Sequence, residues 1–400
     1  MIFSGKGSSV SKNLFFVAAP AAGHVNPTLP LVAELTRRGH HVAFATGPAH
    51  LGAVERSGAR PVELPWTLDP TGLSRDTFST TSFVELLDNL LTTAAPELDA
   101  LVSTARAHGT DAVCFDATVA PVAAALAYRL GVPMISLMAS MAVNEHLPLG
   151  ELLPPDFRPD NAALIGYATR LHAFSVEQGL PAPLLPMVIP EVPLTLVFVP
   201  PAFQIAADTF DASYRFVGPT AAPDTGDWAP PADDRPLLLV SLGTAFTDRP
   251  DVFRACAEAF ADTDWRVIMS IGRTSRAALG ELAANIEVAE SVPQRSILRH
   301  ATAFISHAGM NSIMESLAVG VPLITLPQVP EQALNARRVV ELGLGALLDS
   351  DDLAPATIAE TVGTVSSDES VRERLAWMAA EIATAGGAVA AADAVLGVLG

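Results

Sequence analysis

The stretch Leu14–Thr46 reads LFFVAAPAAGHVNPTLPLVAELTRRGHHVAFAT. Leu14–Ala19 is a continuous apolar run of strand length, the pattern of a strand buried on both faces. Pro27 marks a helix start, because its fixed φ suits the first turn and its missing N–H costs nothing there. The helical pattern runs to about Arg38, Gly39 stops it, and His41–Thr46 is a second apolar run. Strand, helix and strand in this compass predict a βαβ unit with parallel strands.

The rhythm continues outward from this unit. Arg60–Leu64 is a third strand after a short helix, and residues 66–80 form a loop. Thr81–His108 is helical, Asp111–Phe115 is a fourth strand, a helix runs through Leu130, and Pro133–Leu137 is a fifth strand. Residues 139–193 carry many prolines, with helix expected near 160–179, and Leu194–Val199 and Tyr214–Val217 are further strands. Gly218–Arg235 mixes prolines at 219, 223, 230 and 231 with acids at 224, 227, 233 and 234, the composition of an interdomain linker.

The pattern then restarts. Leu237–Ser241, Trp265–Ile271, Ile286–Ala289, Ala301–Ser306 and Leu323–Leu326 are strands. Asp251–Ala261, Ser312–Val319 and Glu331–Leu342 are helices, and the tail from Asp368 is helical. The expected class is α/β, with two Rossmann-like doubly wound parallel sheets. Residues 1–13 are a loose extension, 14–217 a first domain, 218–235 a linker and 236–400 a second domain. The last, alanine-rich helix is free to cross back onto the first domain.

Composition sets the outer bounds. The chain has 400 residues, 50% of them hydrophobic and 17% charged, which excludes disorder and allows two cores. Twenty-four cations against 43 anions leave a net charge of −19, which disfavours nucleic acid or an anionic membrane as partner. Cys114 and Cys256 lie far apart, which is neither a disulfide framework nor a zinc spacing and suits a reducing, cytoplasmic compartment. Leu14–Gly23 imitates a secretory signal, but a helix start follows it directly. Leu184–Phe203 has membrane-spanning length, but Pro186, Pro190, Pro193, Pro200 and Pro201 interrupt it and Glu191 sits inside. No membrane insertion is expected.

The turn after the first strand holds Gly23 alone, where a dinucleotide site needs three glycines, so NAD is not expected there. It offers His24 instead, directly ahead of a helix start whose dipole disfavours the imidazolium and keeps the ring available as a base. In a sheet of order 3-2-1-4-5 the first and fourth strands are neighbours, so Asp116 stands beside His24 at the ligand-binding edge. A carboxylate there orients an imidazole and stabilises its cation. Asp116 equally suits a cap on the following helix.

The second half repeats the layout. One strand ends in Ser241-Leu242-Gly243-Thr244, and its neighbour ends in Ser306-His307-Ala308-Gly309-Met310-Asn311-Ser312, with Glu315 a turn later. Glycine admits close backbone approach, and a helix start attracts phosphate, so a diphosphate is the natural occupant. Asp262-Thr263-Asp264 and Asp349-Ser350-Asp351 spell a cation-binding Asp-x-Asp, yet both fall in turns where acids serve solvation and capping. Neither is assigned to metal.

These pieces, with Gly23-His24-Val25-Asn26-Pro27, Val292-Pro293-Gln294, and Pro327-Gln328 followed by Glu331-Gln332, stand in a specific order along nearly the whole chain from Leu14. In that order the chain resembles nucleotide-sugar glycosyltransferases of the GT-B fold, above all the bacterial macrolide and natural-product enzymes. The resemblance implies a cleft between two domains and inverting transfer from a UDP- or dTDP-sugar to a hydroxyl of a small hydrophobic natural product. That acceptor would be a polyketide, macrolide, flavonoid or phenol, and the product a β-glycoside.

The resemblance also implies roles at matching positions. His24 is the base and Asp116 its partner. Val292 and Gln294 meet the nucleotide base, Glu315 the ribose, and Glu331 and Gln332 the sugar hydroxyls. Thr244, His307, Asn311 and Ser312 hold the diphosphate, with Gly243, Gly309 and Met310 in the same donor site. No cofactor and no metal are expected, and the assembly is a monomer or homodimer. Ser291 stands where the family often places an aromatic residue against the base. Phe78, Phe83, Met138, Met141 and Phe174 are candidates for the acceptor pocket and equally suited to a core. A nucleotide-sugar 2-epimerase and a catalytically silent nucleotide-sugar-binding partner share such a donor site, but the His24–Asp116 pair and the apolar first half favour a transferase.

Overall fold

A computed structural model describes residues 10–67, 78–220, 228–230, 233–350 and 353–400. Most of the loop expected at 66–80, much of the linker and Asp351 lie outside these residues. The first half interleaves β1 (Asn13–Val17), α1 (Ala22–Val25), α2 (Leu29–Arg37), β2 (His41–Thr46), α3 (Leu51–Arg56) and β3 (Arg60–Glu63). It continues through α4 (Thr80–Ala94), α5 (Leu98–His108), β4 (Ala112–Asp116), α6 (Ala120–Leu130), β5 (Met134–Met138), α7 (Ala162–Glu177), β6 (Leu194–Val197) and β7 (Tyr214–Phe216). Its seven strands are all parallel, in the order β3-β2-β1-β4-β5-β6-β7.

The second half holds β8 (Leu237–Ser241), α8 (Pro250–Phe260), β9 (Arg266–Ser270), β10 (Ile286–Ala289), α9 (Gln294–Leu298), β11 (Ala303–Ser306) and α10 (Met310–Ala318). β12 (Leu323–Thr325), α11 (Pro330–Glu341), β13 (Gly345–Leu347), α12 (Pro355–Ser367), α13 (Glu369–Ala385) and α14 (Gly387–Val398) complete it. Its six strands are also parallel, in the order β10-β9-β8-β11-β12-β13. The central strands are apolar except at their ends because helices cover both faces, and Leu14, Phe15, Phe16 and Val17 are all fully buried. This is the GT-B arrangement of two doubly wound sheets.

Register positions the first half's chemistry. Val17 pairs with Phe115, so β1 and β4 finish side by side with Asp116 closing β4. The helix expected over Thr81–His108 is interrupted by a 3₁₀ turn at Ala95–Glu97, because Pro96 has no N–H to continue the ladder. The first helix also differs from its expected form. A single turn, α1, precedes α2, and His24 lies inside that turn and not ahead of a helix start.

Packing crosses the boundaries read from sequence. α14 lies against α2 and β6 of the first half, with Ala391, Ala392 and Val395 fully buried among Leu31, Leu35 and Leu196. The Gly387 N–H bonds the Val217 carbonyl at 2.8 Å, where the two chain segments cross. Lys12 Nζ donates to the Leu399 carbonyl at 2.9 Å, and Ser11 Oγ to the Gly39 carbonyl at 2.7 Å. The end of the presumed loose extension is therefore tied down, and β1 starts at Asn13. Glu369–Val398 is long and apolar enough by composition to cross a membrane, but Gly386 (φ 88°) breaks it into two helices. In the other direction, Met138, Met141, Ala142, Leu147 and Phe203 of the first half join the core of the second.

Candidate active site

His24 and Asp116 meet as their strand order requires. His24 Nδ1 lies 2.5 Å from Asp116 Oδ2, and Thr118 donates its backbone N–H to Asp116 Oδ1 at 2.7 Å. One carboxylate thus holds the ring with one oxygen and caps the 3₁₀ turn Ala117–Val119 with the other, so both roles foreseen for it coexist. The Asp116 side chain is 4% exposed, whereas that of His24 is 37% exposed. Buried carboxylate behind, open imidazole in front: Nδ1–H is held, and Nε2 keeps the lone pair.

The electrostatics reverse the expectation based on the helix dipole. Burial disfavours the imidazolium, but the Asp116 charge, its hydrogen bond and the more distant Glu331 carboxylate outweigh burial and raise the His24 pKa. Asp116 shows the converse. Burial favours its neutral form, yet His24 and the Thr118 hydrogen bonds outweigh this and hold its pKa low, so it stays ionised.

Across from this pair, the loops after β8 and β11 build a compact cradle. Gly243 has φ 78°, and a Cβ there would stand 2.5 Å from the His307 ring. A Cβ on Gly309 would strike the same ring. Ala308 between them also has positive φ, at 63°, a conformation unfavourable for alanine. Burial pushes the His307 pKa down to about 4, so the ring is neutral near pH 7. Gly309 caps α10, whose first-turn N–H groups have no acceptor within the helix. His307 Nδ1 and Asn335 Oδ1 are buried without a hydrogen-bond partner. Free amide donors, a positive dipole end and unpartnered polar atoms fit a sugar diphosphate.

Beside the cradle, Gln294 Nε2 donates to Ser312 Oγ at 3.2 Å and to Glu315 Oε2 at 2.8 Å. Gln294, Ser312 and Glu315 therefore sit together. The Gln294 N–H bonds the Val292 carbonyl at 2.8 Å across Pro293, a tight turn that presents both side chains together. Glu331 accepts from Asn335 Nδ2 at 3.0 Å, and burial raises its pKa. Asn335 also donates to the Ala308 carbonyl at 3.1 Å, which ties α11 to the cradle.

Several expected contacts are redistributed. Asn311 spans the two halves, its Nδ2 donating to the Gly23 carbonyl at 3.1 Å. The Met310 side chain is core. Gln332 is buried with Oε1 accepting the Gln328 N–H at 2.9 Å, while Thr244 and Ser291 are exposed. Among the acceptor candidates, Met138 and Met141 lie in the joint between the halves, and Phe174 packs with Leu164, Tyr167 and Leu171 beneath α4. They are interior because the second half and α4 cover them. Phe78 and Phe83 are half-buried and in ring contact at 6.1 Å.

Asn335 escaped the sequence reading, although its spacing four residues after Glu331 puts both on one face of α11. Phe246, whose ring meets Phe78 at 6.0 Å, carried no local signal at all. A cavity of about 660 Å³ lined by His40, His41, Arg60 and His108 lies at the opposite, amino-terminal edge of the first sheet and contains no candidate residue. Among the described residues no three His, Cys, Asp or Glu side chains converge in a way that could hold a metal ion.

Comparison with known proteins adds lineage to geometry. Residues 254–392 match the family "Erythromycin biosynthesis protein CIII-like, C-terminal domain". The chain is 37% identical to NDP-glycosyltransferase YjiC of Bacillus subtilis (strain 168) over 95% of each chain. It is 35% identical to the demethyllactenocin mycarosyltransferase of Streptomyces fradiae, over 98% of this chain and 88% of that one. The crystal structure of the calicheamicin glycosyltransferase CalG4 superposes with a TM-score of 0.83 at 34% identity, over 98% of this chain and 99% of that one.

Proposed function

The chain belongs to the GT-B natural-product glycosyltransferases, and from that premise we propose an inverting transfer of sugar from UDP- or dTDP-sugar to a hydroxyl of a small hydrophobic natural product. Membership in a family of transferases sets aside the 2-epimerase and the silent binder. The observation that carries the mechanism is the His24–Asp116 pair at 2.5 Å, its carboxylate buried and its imidazole partly exposed.

His24 Nε2 takes the proton of the acceptor hydroxyl as that oxygen attacks the anomeric carbon. The bond from this carbon to the diphosphate oxygen breaks on the opposite face, which yields a β-glycoside from an α-linked donor. Asp116 stabilises the imidazolium formed in the step. Proton transfer of this kind is worth about 10²–10⁴-fold in rate. The leaving diphosphate gathers its charge against the first-turn N–H groups of α10, where fixed dipoles need no reorganisation. A natural-product acceptor is supported by the mycarosyltransferase relative and by the half-buried rings of Phe78 and Phe83.

His24→Ala is expected to cut glycoside formation by about 10²–10⁴-fold. UDP binding by calorimetry should stay near wild type, since the donor site is built by the other half. Acidic phenols, which ionise without help, should be the least affected acceptors. An aliphatic alcohol glycosylated by His24→Ala at the wild-type rate would overturn the mechanism. Because helix dipoles and N–H groups stand where a cation would serve, turnover should persist in excess EDTA, and an absolute need for Mg²⁺ or Mn²⁺ would refute this.

A further inference from the structure

An activated water and an activated alcohol differ little as nucleophiles towards an anomeric carbon. His24 would deprotonate either, so base chemistry alone does not separate transfer from hydrolysis. In hydrolysis the water oxygen bonds the anomeric carbon, the carbon–diphosphate bond breaks, and free sugar and nucleoside diphosphate result. Something other than the base must keep water away from the reacting carbon.

Three aromatic rings meet between the two halves. Phe78 immediately precedes the α4 capping box, and α4 packs on the 3₁₀ turn that Asp116 caps. Its ring lies 6.1 Å from that of Phe83 and 6.0 Å, edge to face at 87°, from that of Phe246. Phe246 belongs to the other half, in the loop after β8, so this contact closes across the gap between the two sheets. It is also the kind of aromatic pair that stabilises beyond simple burial.

The Phe246 loop is held firmly. Its carbonyl accepts from Gln328 Nε2 at 2.9 Å, and the Gln328 N–H donates to Gln332 Oε1 at 2.9 Å, in the first turn of α11 beside Glu331. On the following residue, the Thr247 carbonyl accepts from Thr274 Oγ1 at 2.6 Å. On the preceding residue, Arg273 Nη2 donates to the Ala245 carbonyl at 2.9 Å. Both Phe78 and Phe246 nevertheless remain only half-buried.

We infer that Phe246, a residue of the donor half, completes the acceptor wall with Phe78 and Phe83, sets the preference for apolar acceptors and shields the anomeric carbon from water. The inference rests on the glycosyltransferase reading above.

The full-length protein is incubated with UDP-glucose and with dTDP-glucose, without acceptor and with a panel of phenolic, flavonoid and macrolide aglycones. Free glucose, glycoside and released diphosphate are quantified, and UDP affinity is measured by calorimetry. Phe246→Ala should raise the ratio of free sugar to glycoside by about tenfold or more and weaken acceptor KM about tenfold, the size of one lost aromatic contact. UDP affinity should stay within about twofold, a result a merely misfolded variant would not give. Phe246→Leu, which keeps bulk, should fall between, and it carries the test if the alanine variant does not fold. Phe78→Ala should reproduce the effect from the opposite half, and the double variant should be little worse than either single one.

If the wild type forms glycoside and neither Phe246→Ala nor Phe246→Leu changes product ratio or acceptor KM, the inference is overturned and the transferase reading stands. If the wild type yields neither glycoside nor free sugar from either donor, the transferase reading falls and takes the inference with it.

Discussion

At His24 two opposing effects meet. Burial alone would make the ring a weaker base than free histidine, and Asp116 with Glu331 more than offsets it. The proposed mechanism needs the neutral ring, so kcat/KM should rise with pH along a limb centred above the ordinary value of 6.5. Asp116→Asn keeps a hydrogen-bonding side chain but removes the charge, so it should lower the rate by about 10²–10⁴-fold and move the limb to lower pH. A limb unmoved in Asp116→Asn would mean that another group sets it. Stability follows the same signs. The raised His24 pKa stabilises the fold below pH 6.5, and this contribution is lost as pH rises through the folded value. The lowered Asp116 pKa stabilises above 3.8, and this is lost as pH falls. The pair was legible in the sequence because strand order alone places it. The direction of the His24 shift was not, since it depends on how burial balances against Asp116 and against Glu331, a residue of the other half.

Among the elements, α14 is the one whose place matters most to the architecture. Its buried face is made of Ala391, Ala392 and Val395, small side chains that let the helix lie close on α2 and β6. Arg38 reinforces the joint, pairing with Glu34 on its own helix and with Asp393 on α14. Ala391→Asp would bury an unpaired charge there and should destabilise by about 3 kcal/mol, or roughly 6–12 °C in melting temperature. Hydrogen exchange should show α14 amides losing protection first. Val389→Asp, on the exposed face of the same helix, should stay within about 0.5 kcal/mol of wild type. Equal effects from the two substitutions would show that α14 is not docked as described. The alanine-rich pattern announces a helix but carries little about which sheet receives it, because a small apolar face fits either.

For the molecule as a whole, the net charge of −19 bears on how an anionic donor arrives. A net negative charge repels a nucleotide diphosphate at long range, and in the proposed donor site the short-range dipole of α10 attracts it. Raising ionic strength from 0.01 M to 0.15 M shortens the screening length from about 30 Å to about 8 Å. Donor association in stopped flow should therefore speed up modestly with salt, and a marked slowing would show that local cations steer the donor instead. At this scale the division between sequence and structure is clear. Near-continuous apolar runs separated by helix starts and glycine stops were enough to determine two parallel sheets, because a strand covered on both faces has no polar side to hide. The order of those strands then brought His24 to Asp116, and His307 to Gly243. Only the tertiary structure decided that Met138, Met141 and Phe174 are interior, that Asn311 bonds Gly23, that α14 returns to the first sheet and that Phe78 meets Phe246. Each of these joins residues far apart in the chain, and an apolar side chain reads the same in sequence whether its partner is a core, a second domain or a ligand.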